Sequence, residues 1–193
     1  MASLRSLYLE IHADASFGNM DDKTKSTEGA VIILRGSEGT GSPIYWRSNV
    51  IARVCKSAKS AETCALEDAI DTTINIGQQV HQIRTRKIED KSCRIVAMTD
   101  SKGLVDSLVS TKQVLEGRMR LNVARIKEYL KLKEIAMVKW VPTTHMLADE
   151  SHQVQGGSQQ VDKGAGDWKN GVGGSPHLKR FRQVFSPSIL PKY

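Results

Sequence analysis

Leu7, Leu9, Ile11 and Ala13 alternate with Tyr8, Glu10, His12 and Asp14. This period of two predicts a strand with an apolar and a polar face, Asp14 lying on the polar one. A polar connection over residues 18–28 leads to the apolar run Ala30 to Leu34, and the turn-forming segment Gly36 to Gly41 leads on to Ile44 through Ser48. Three strands joined in succession predict an antiparallel meander. From Ser57 to about Val80 the period becomes helical, with Ala58, Ala61, Ala65, Leu66, Ala69 and Ile70 three and four apart. The almost wholly apolar run Arg94 to Thr99 predicts a central strand covered on both faces. Residues 101–110 predict a short helix, and 116–133 a longer one with the stripe Met119, Val123, Ile126 and Leu130. Ile135 to Val141 predicts a further strand stopped by Pro142, and Met146 to about Gln153 a last helix. Trp46 and Trp140 are expected to pack the core, as are Cys55 and Cys64 in the role of small buried hydrophobes.

Periodicity ends after Gln155, where paired and single glycines from Gly156 to Gly174 set the composition. Residues 155–193 are expected to form a Gly-rich, basic, mostly disordered tail, and residues 1–154 a single α/β domain. The 193 residues, 39% hydrophobic and 25% charged, suit one such domain. Lys and Arg exceed Asp and Glu by 7, which favours polyanionic partners. Three cysteines with no C-x-x-C motif support neither a disulfide framework nor a cysteine zinc site. No run approaches the roughly 18 apolar residues of a membrane span, and the N-terminal segment, interrupted by Glu10 and His12, reads as a strand rather than a secretory signal. An intracellular, soluble protein is expected.

Four carboxylates attract attention. Glu62 lies within the apolar stripe of its helix, whereas Glu67 and Asp71 are expected on the opposite, solvated side. A carboxylate aimed at the sheet must be paired, protonated or bound to a metal. Asp100 follows the central strand directly, where open α/β sheets place their ligands, and Asp14 lies near the end of the first strand. If these two strands are parallel neighbours, the two carboxylates converge. Asp149 falls just past the last strand. Each also has a structural reading: a helix-dipole partner for Glu62, a turn for Asp14, and caps for Asp100 and Asp149. Four carboxylates sharing a pocket require cations, and Mg²⁺, a hard ion with a preference for carboxylate oxygens, fits best. With the basic excess, this points to a metal-dependent nuclease.

The segments His12-Ala-Asp14-Ala-Ser-Phe-Gly-Asn19, Ser60-Ala-Glu62-Thr-Cys-Ala-Leu66, Met98-Thr-Asp100-Ser-Lys102 and Trp140-Val-Pro-Thr-Thr-His-Met-Leu-Ala-Asp149 together resemble the ribonuclease H domain of copia-type LTR retrotransposon polyproteins. The resemblance spans about residues 7 to 152. It implies a ribonuclease H-like fold, with a mixed five-stranded sheet of three antiparallel and then parallel strands flanked by helices. It also implies a site in which Asp14, Glu62, Asp100 and Asp149 hold two Mg²⁺ ions, or Mn²⁺. By the same resemblance the activity is endonucleolytic hydrolysis of the RNA strand of RNA/DNA hybrids during reverse transcription, leaving a 5′-phosphate and a 3′-hydroxyl. The implied partners are the hybrid and the reverse transcriptase and integrase portions of a polyprotein, in a cytoplasmic virus-like particle or the nucleus. Ser16 and Asn19 are expected backbone contacts. After Asp149 the family continues Ala-Asp-x-Leu-Thr-Lys, whereas this chain reads Ala148-Asp149-Glu150-Ser151-His152-Gln153; a degenerate, non-catalytic nucleic-acid-binding domain of the same fold is the alternative.

Arg120, Lys127 and Lys131 form a basic stripe suited to tracking phosphates, or a solvated helix face. His145 reads as a surface loop residue before a proton-transfer group, and His12 as a hydrogen-bonded core residue. No G-x-S-x-G, H-E-x-x-H, Walker A or G-x-G-x-x-G motif occurs.

Overall fold

The computed structural model describes residues 7–18, 25–36, 40–88, 92–111 and 117–148. Asn19, Asp149, the rest of the expected last helix and the Gly-rich tail lie outside the described residues. Five strands, β1 (Tyr8–Ser16), β2 (Thr27–Arg35), β3 (Gly41–Val50), β4 (Arg94–Thr99) and β5 (Met137–Trp140), and three helices, α1 (Ala58–Thr85), α2 (Lys102–Val109) and α3 (Gly117–Leu132), follow the predicted order. A 3₁₀ turn, Thr143–His145, which the sequence pattern did not signal, follows β5.

The sheet runs β3-β2-β1-β4-β5. β1, β2 and β3 form the expected antiparallel meander, and β4 and β5 add parallel to β1. Apolar alternation in β1 turns Leu9, Ile11 and Ala13 toward a core shared with Ala30 and Ile32, Ile95 and Ala97, and Leu66, Ala69 and Ile70 of α1. Leu104 of α2 and Met119, Val123 and Ile126 of α3 complete it. β4 is central as expected, with Ile95 and Ala97 fully buried and Val96 nearly so. Pro43 sits on the edge strand β3 beside a register shift at Ile32/Ile33, where a missing N–H costs the ladder least. α1 starts on Ser57, whose Oγ accepts from the Ser60 N–H at 3.1 Å. It continues five residues past the expected end, closing on Arg86 with φ 55°. At Gly77 a Cβ would meet Ser92 Oγ, so this glycine admits the chain entering β4.

Three expectations fail. Trp46 is 64% exposed and Trp140 50% exposed: an edge strand and a strand end leave their outward faces uncovered. Glu67 is buried instead of solvated, because α3 packs against that side of α1. Arg125 of α3 pairs with Glu67 at 3.4 Å and with Asp71 at 3.0 Å, and Arg53 approaches Glu67 at 3.7 Å. The polar face of β1 is buried too. There Glu10 accepts from Arg35 at 2.6 Å and lies 2.9 Å from His12 Nε2. Burial alone would raise the Glu10 pKa, but the hydrogen bonds from His12 and Arg35 hold it down at about 2. Cys55, Cys64 and Cys93 are free and buried. Among the described residues, no helix is long and apolar enough to cross a membrane.

Candidate active site

The pairing of β1 with β4 carries the site. Their last paired residues are His12 and Met98; Asp14, near the end of β1, and Asp100, just after β4, each lie two positions further on, so the two acids come level where the two strands part. Glu62 sits in the second turn of α1, which packs over β1 with Ala61, Cys64 and Ala15 in a small apolar cluster. One ligand atom from each of Asp14, Glu62 and Asp100 lies within 4.8 Å of the others.

Such crowding raises the cost of ionising all three. The Glu62 pKa is pushed up to about 9, first by burial, then by the charges of Asp14 and Asp100 and a hydrogen bond shared with Asp14, against an opposing contribution from the Ala15 N–H. Glu62 Oε2 is buried without a hydrogen-bond partner. Asp14 Oδ1 accepts from the Ala15 N–H at 2.8 Å. Asp100 Oδ2 accepts from Thr143 Oγ1 at 2.7 Å, and the Asp100 carbonyl from Trp140 Nε1 at 2.9 Å. Three hard oxygen donors, one with an orphaned buried oxygen, fit a divalent cation, whose charge removes the repulsion that otherwise keeps a proton on Glu62.

The other predicted residues lie around this cluster or outside it. Ser16, half-buried, ends β1 beyond Asp14. Arg120 and Lys131 are exposed on α3, while the half-buried Lys127 donates from Nζ to the Ser110 carbonyl at 2.7 Å. Asn19 and Asp149 fall outside the described residues. His145 is exposed, with its Nδ1 3.2 Å from Thr144 Oγ1. Sequence reasoning missed Thr143 and Trp140 as partners of Asp100. Both stand in the Trp140-to-Asp149 segment, but neither is a residue type that signals metal chemistry. An open groove between α1 and α3, lined by Arg53, Arg118, Asn122 and Arg125 with Glu67 and Leu121, was also unforeseen.

No family model matches the sequence, and no curated protein matches it. Solved structures do. The N-terminal RNase H domain of a Mycobacterium tuberculosis protein, solved fused to maltose-binding protein, aligns with a TM-score of 0.52 at 17% identity over 77% of this chain and 93% of its own. LC11-RNase H1 in complex with an RNA/DNA hybrid aligns with a TM-score of 0.53 at 15% identity over 76% and 94%. A foamy viral protease-reverse transcriptase in complex with double-stranded DNA aligns with a TM-score of 0.53 at 20% identity over 79% and 96%. The strand order, its change from antiparallel to parallel and these likenesses define the architecture: the chain has a ribonuclease H-like fold.

Proposed function

We propose that the protein is a metal-dependent endoribonuclease that hydrolyses the RNA strand of RNA/DNA hybrids and derives from a copia-type retrotransposon. The observation that carries this reading is the Asp14, Glu62 and Asp100 cluster at the ends of two parallel strands, on the fold of proteins one of which was solved with such a hybrid. Asp14, Glu62, Asp100 and, from the sequence, Asp149 would hold two Mg²⁺ or Mn²⁺ ions. Such ions would supply an activated water and stabilisation of the leaving 3′-oxygen.

The chain's own groups prepare the site. Burial and the neighbouring Asp14 and Asp100 keep a proton on Glu62, which would pass to solvent on cation binding. The Ala15 N–H and the Thr143 hydroxyl orient Asp14 and Asp100. Arg120, Lys127 and Lys131 on α3 contact phosphates, and Ser16 and Asn19 the strand beside the cluster. An RNA strand is told from DNA through 2′-hydroxyls displayed in the wide minor groove of the hybrid. In this proposal the domain spans residues 1–154 and works in the cell beside reverse transcriptase and integrase portions of a polyprotein.

The test is a panel of labelled RNA/DNA hybrid, double-stranded RNA and double-stranded DNA in Mg²⁺ and in Mn²⁺. Cutting of the RNA in the hybrid alone is expected. Salt-sensitive binding without cutting in either ion assigns the non-catalytic alternative, which the altered sequence after Asp149 favours.

A further inference from the structure

We propose that Thr143 is a positioning residue that holds the Asp100 carboxylate in the orientation in which it serves a divalent cation; the inference rests on reading the Asp14, Glu62 and Asp100 cluster as a metal site. The backbone around Asp100 is already fixed. The Thr99 carbonyl accepts from the Val141 N–H at 2.9 Å, and the Asp100 carbonyl accepts from the Lys102 N–H at 3.0 Å and from Trp140 Nε1 at 2.9 Å. These bonds hold the Cα and leave the half-buried side chain free to rotate. The Thr143 hydroxyl removes that freedom by donating to Oδ2 at 2.7 Å.

Thr143 is itself held. It opens the 3₁₀ turn behind Pro142, and the turn is closed by the His145 N–H on the Pro142 carbonyl at 2.8 Å and the Met146 N–H on the Thr143 carbonyl at 2.9 Å. Pro142 has its φ fixed by its ring, and Val141 is tied to the end of β4. The hydroxyl is therefore anchored to the strand that delivers Asp100, which makes it a rigid tether. A carboxylate aligned beforehand loses less conformational freedom when a cation arrives. Hydrogen-bond partners of ligating carboxylates matter for both metal affinity and activity.

Thr143→Val removes the hydroxyl at nearly constant volume, and Thr143→Ser keeps it. Mn²⁺ affinity is read by calorimetry without nucleic acid, kcat and KM on the hybrid, and melting without metal. Thr143→Val is expected to weaken Mn²⁺ binding and lower kcat by about tenfold each, with KM and melting temperature unchanged, and Thr143→Ser to restore both. Wild-type Mn²⁺ affinity in Thr143→Val overturns the proposal, as does a loss matched by a fall in melting temperature and not rescued by serine. If the wild type binds no Mn²⁺, or Asp100→Asn binds it undiminished, the metal-site reading falls as well. If Asp100→Asn abolishes binding and Thr143→Val leaves it intact, only the positioning role is lost.

Discussion

Asp14 and Glu62, on a strand and on the helix packed over it, share a hydrogen bond between their carboxyl groups, and burial, the charges of Asp14 and Asp100 and this contact push the Glu62 pKa up to about 9. Two carboxyls can share such a bond only while one of them keeps its proton. The cluster is therefore a place where ionising every carboxyl costs stability. Glu62→Gln removes the cost of holding a proton that the unfolded chain has already lost and is expected to raise the metal-free melting temperature near pH 8 by about 2–4 °C, the equivalent of roughly 1 kcal/mol in a chain of this size. Mg²⁺ is expected to raise the melting temperature of the wild type and to leave Asp14→Asn unmoved. Calorimetric scans with and without Mg²⁺ check both.

A second carboxylate is strained away from the cluster. Glu28 of β2 is buried, and its pKa is raised to about 7 by that burial and by Asp68, against the opposing charges of Arg47, 3.1 Å away, and Arg53. Below pH 4.5 the group is protonated in both folded and unfolded chains. As pH rises toward 7 the unfolded chain loses the proton first, so the stability present at low pH is lost across that window, by about 3 kcal/mol as an order of magnitude. Glu28→Gln is expected to flatten this decline, with its advantage over wild type growing from pH 4.5 to 7. Urea denaturation at stepped pH measures it.

Glu10 behaves in the opposite sense. Arg35 and His12 hold its pKa at about 2 despite burial, so its contribution is complete above pH 4.5 and is lost as pH falls toward 2. Arg35→Met strips a buried carboxylate of one of its two partners. It is expected to destabilise the protein by about 3 kcal/mol at neutral pH and by progressively less below pH 4.5. Denaturation midpoints at pH 7 and pH 3 distinguish the two regimes.

The basic helix α3 supplies a prediction about binding. Arg120 is exposed, whereas Lys127 is held by the Ser110 carbonyl. If Arg120 meets a phosphate, Arg120→Ala is expected to weaken hybrid binding and reduce the slope of log affinity against log salt by about 1. Lys127→Ala is expected to reduce it less. Fluorescence anisotropy across a salt series reads both slopes.

The sheet was legible because its strands differ in pattern for physical reasons. β1 alternates, β4 is apolar from Ile95 to Met98, and the long apolar stripe of α1 must cover them. Asp14 and Asp100 could be placed at strand ends from sequence, but their convergence depended on β1 and β4 being parallel neighbours, which the pairing register supplies. Glu67 was misplaced because its partners Arg53 and Arg125 come from other elements, and a helical wheel of α1 alone does not show that α3 covers a second side. Trp46 was misplaced because aromatic content marks a strand without saying whether it lies at an edge. Thr143 went unnoticed because a hydroxyl acquires its role only from the carboxylate it meets.

The most direct test of the central claim is single-turnover cleavage of an end-labelled RNA/DNA hybrid in Mg²⁺ by the wild type and by Asp100→Asn, with folding of both verified by circular dichroism. The wild type is expected to cut the RNA strand to 3′-hydroxyl products and the variant to lose at least about a hundredfold in rate, a barrier increase near 3 kcal/mol. Equal cleavage by both proteins, or none by a folded wild type that binds the hybrid, would contradict the claim.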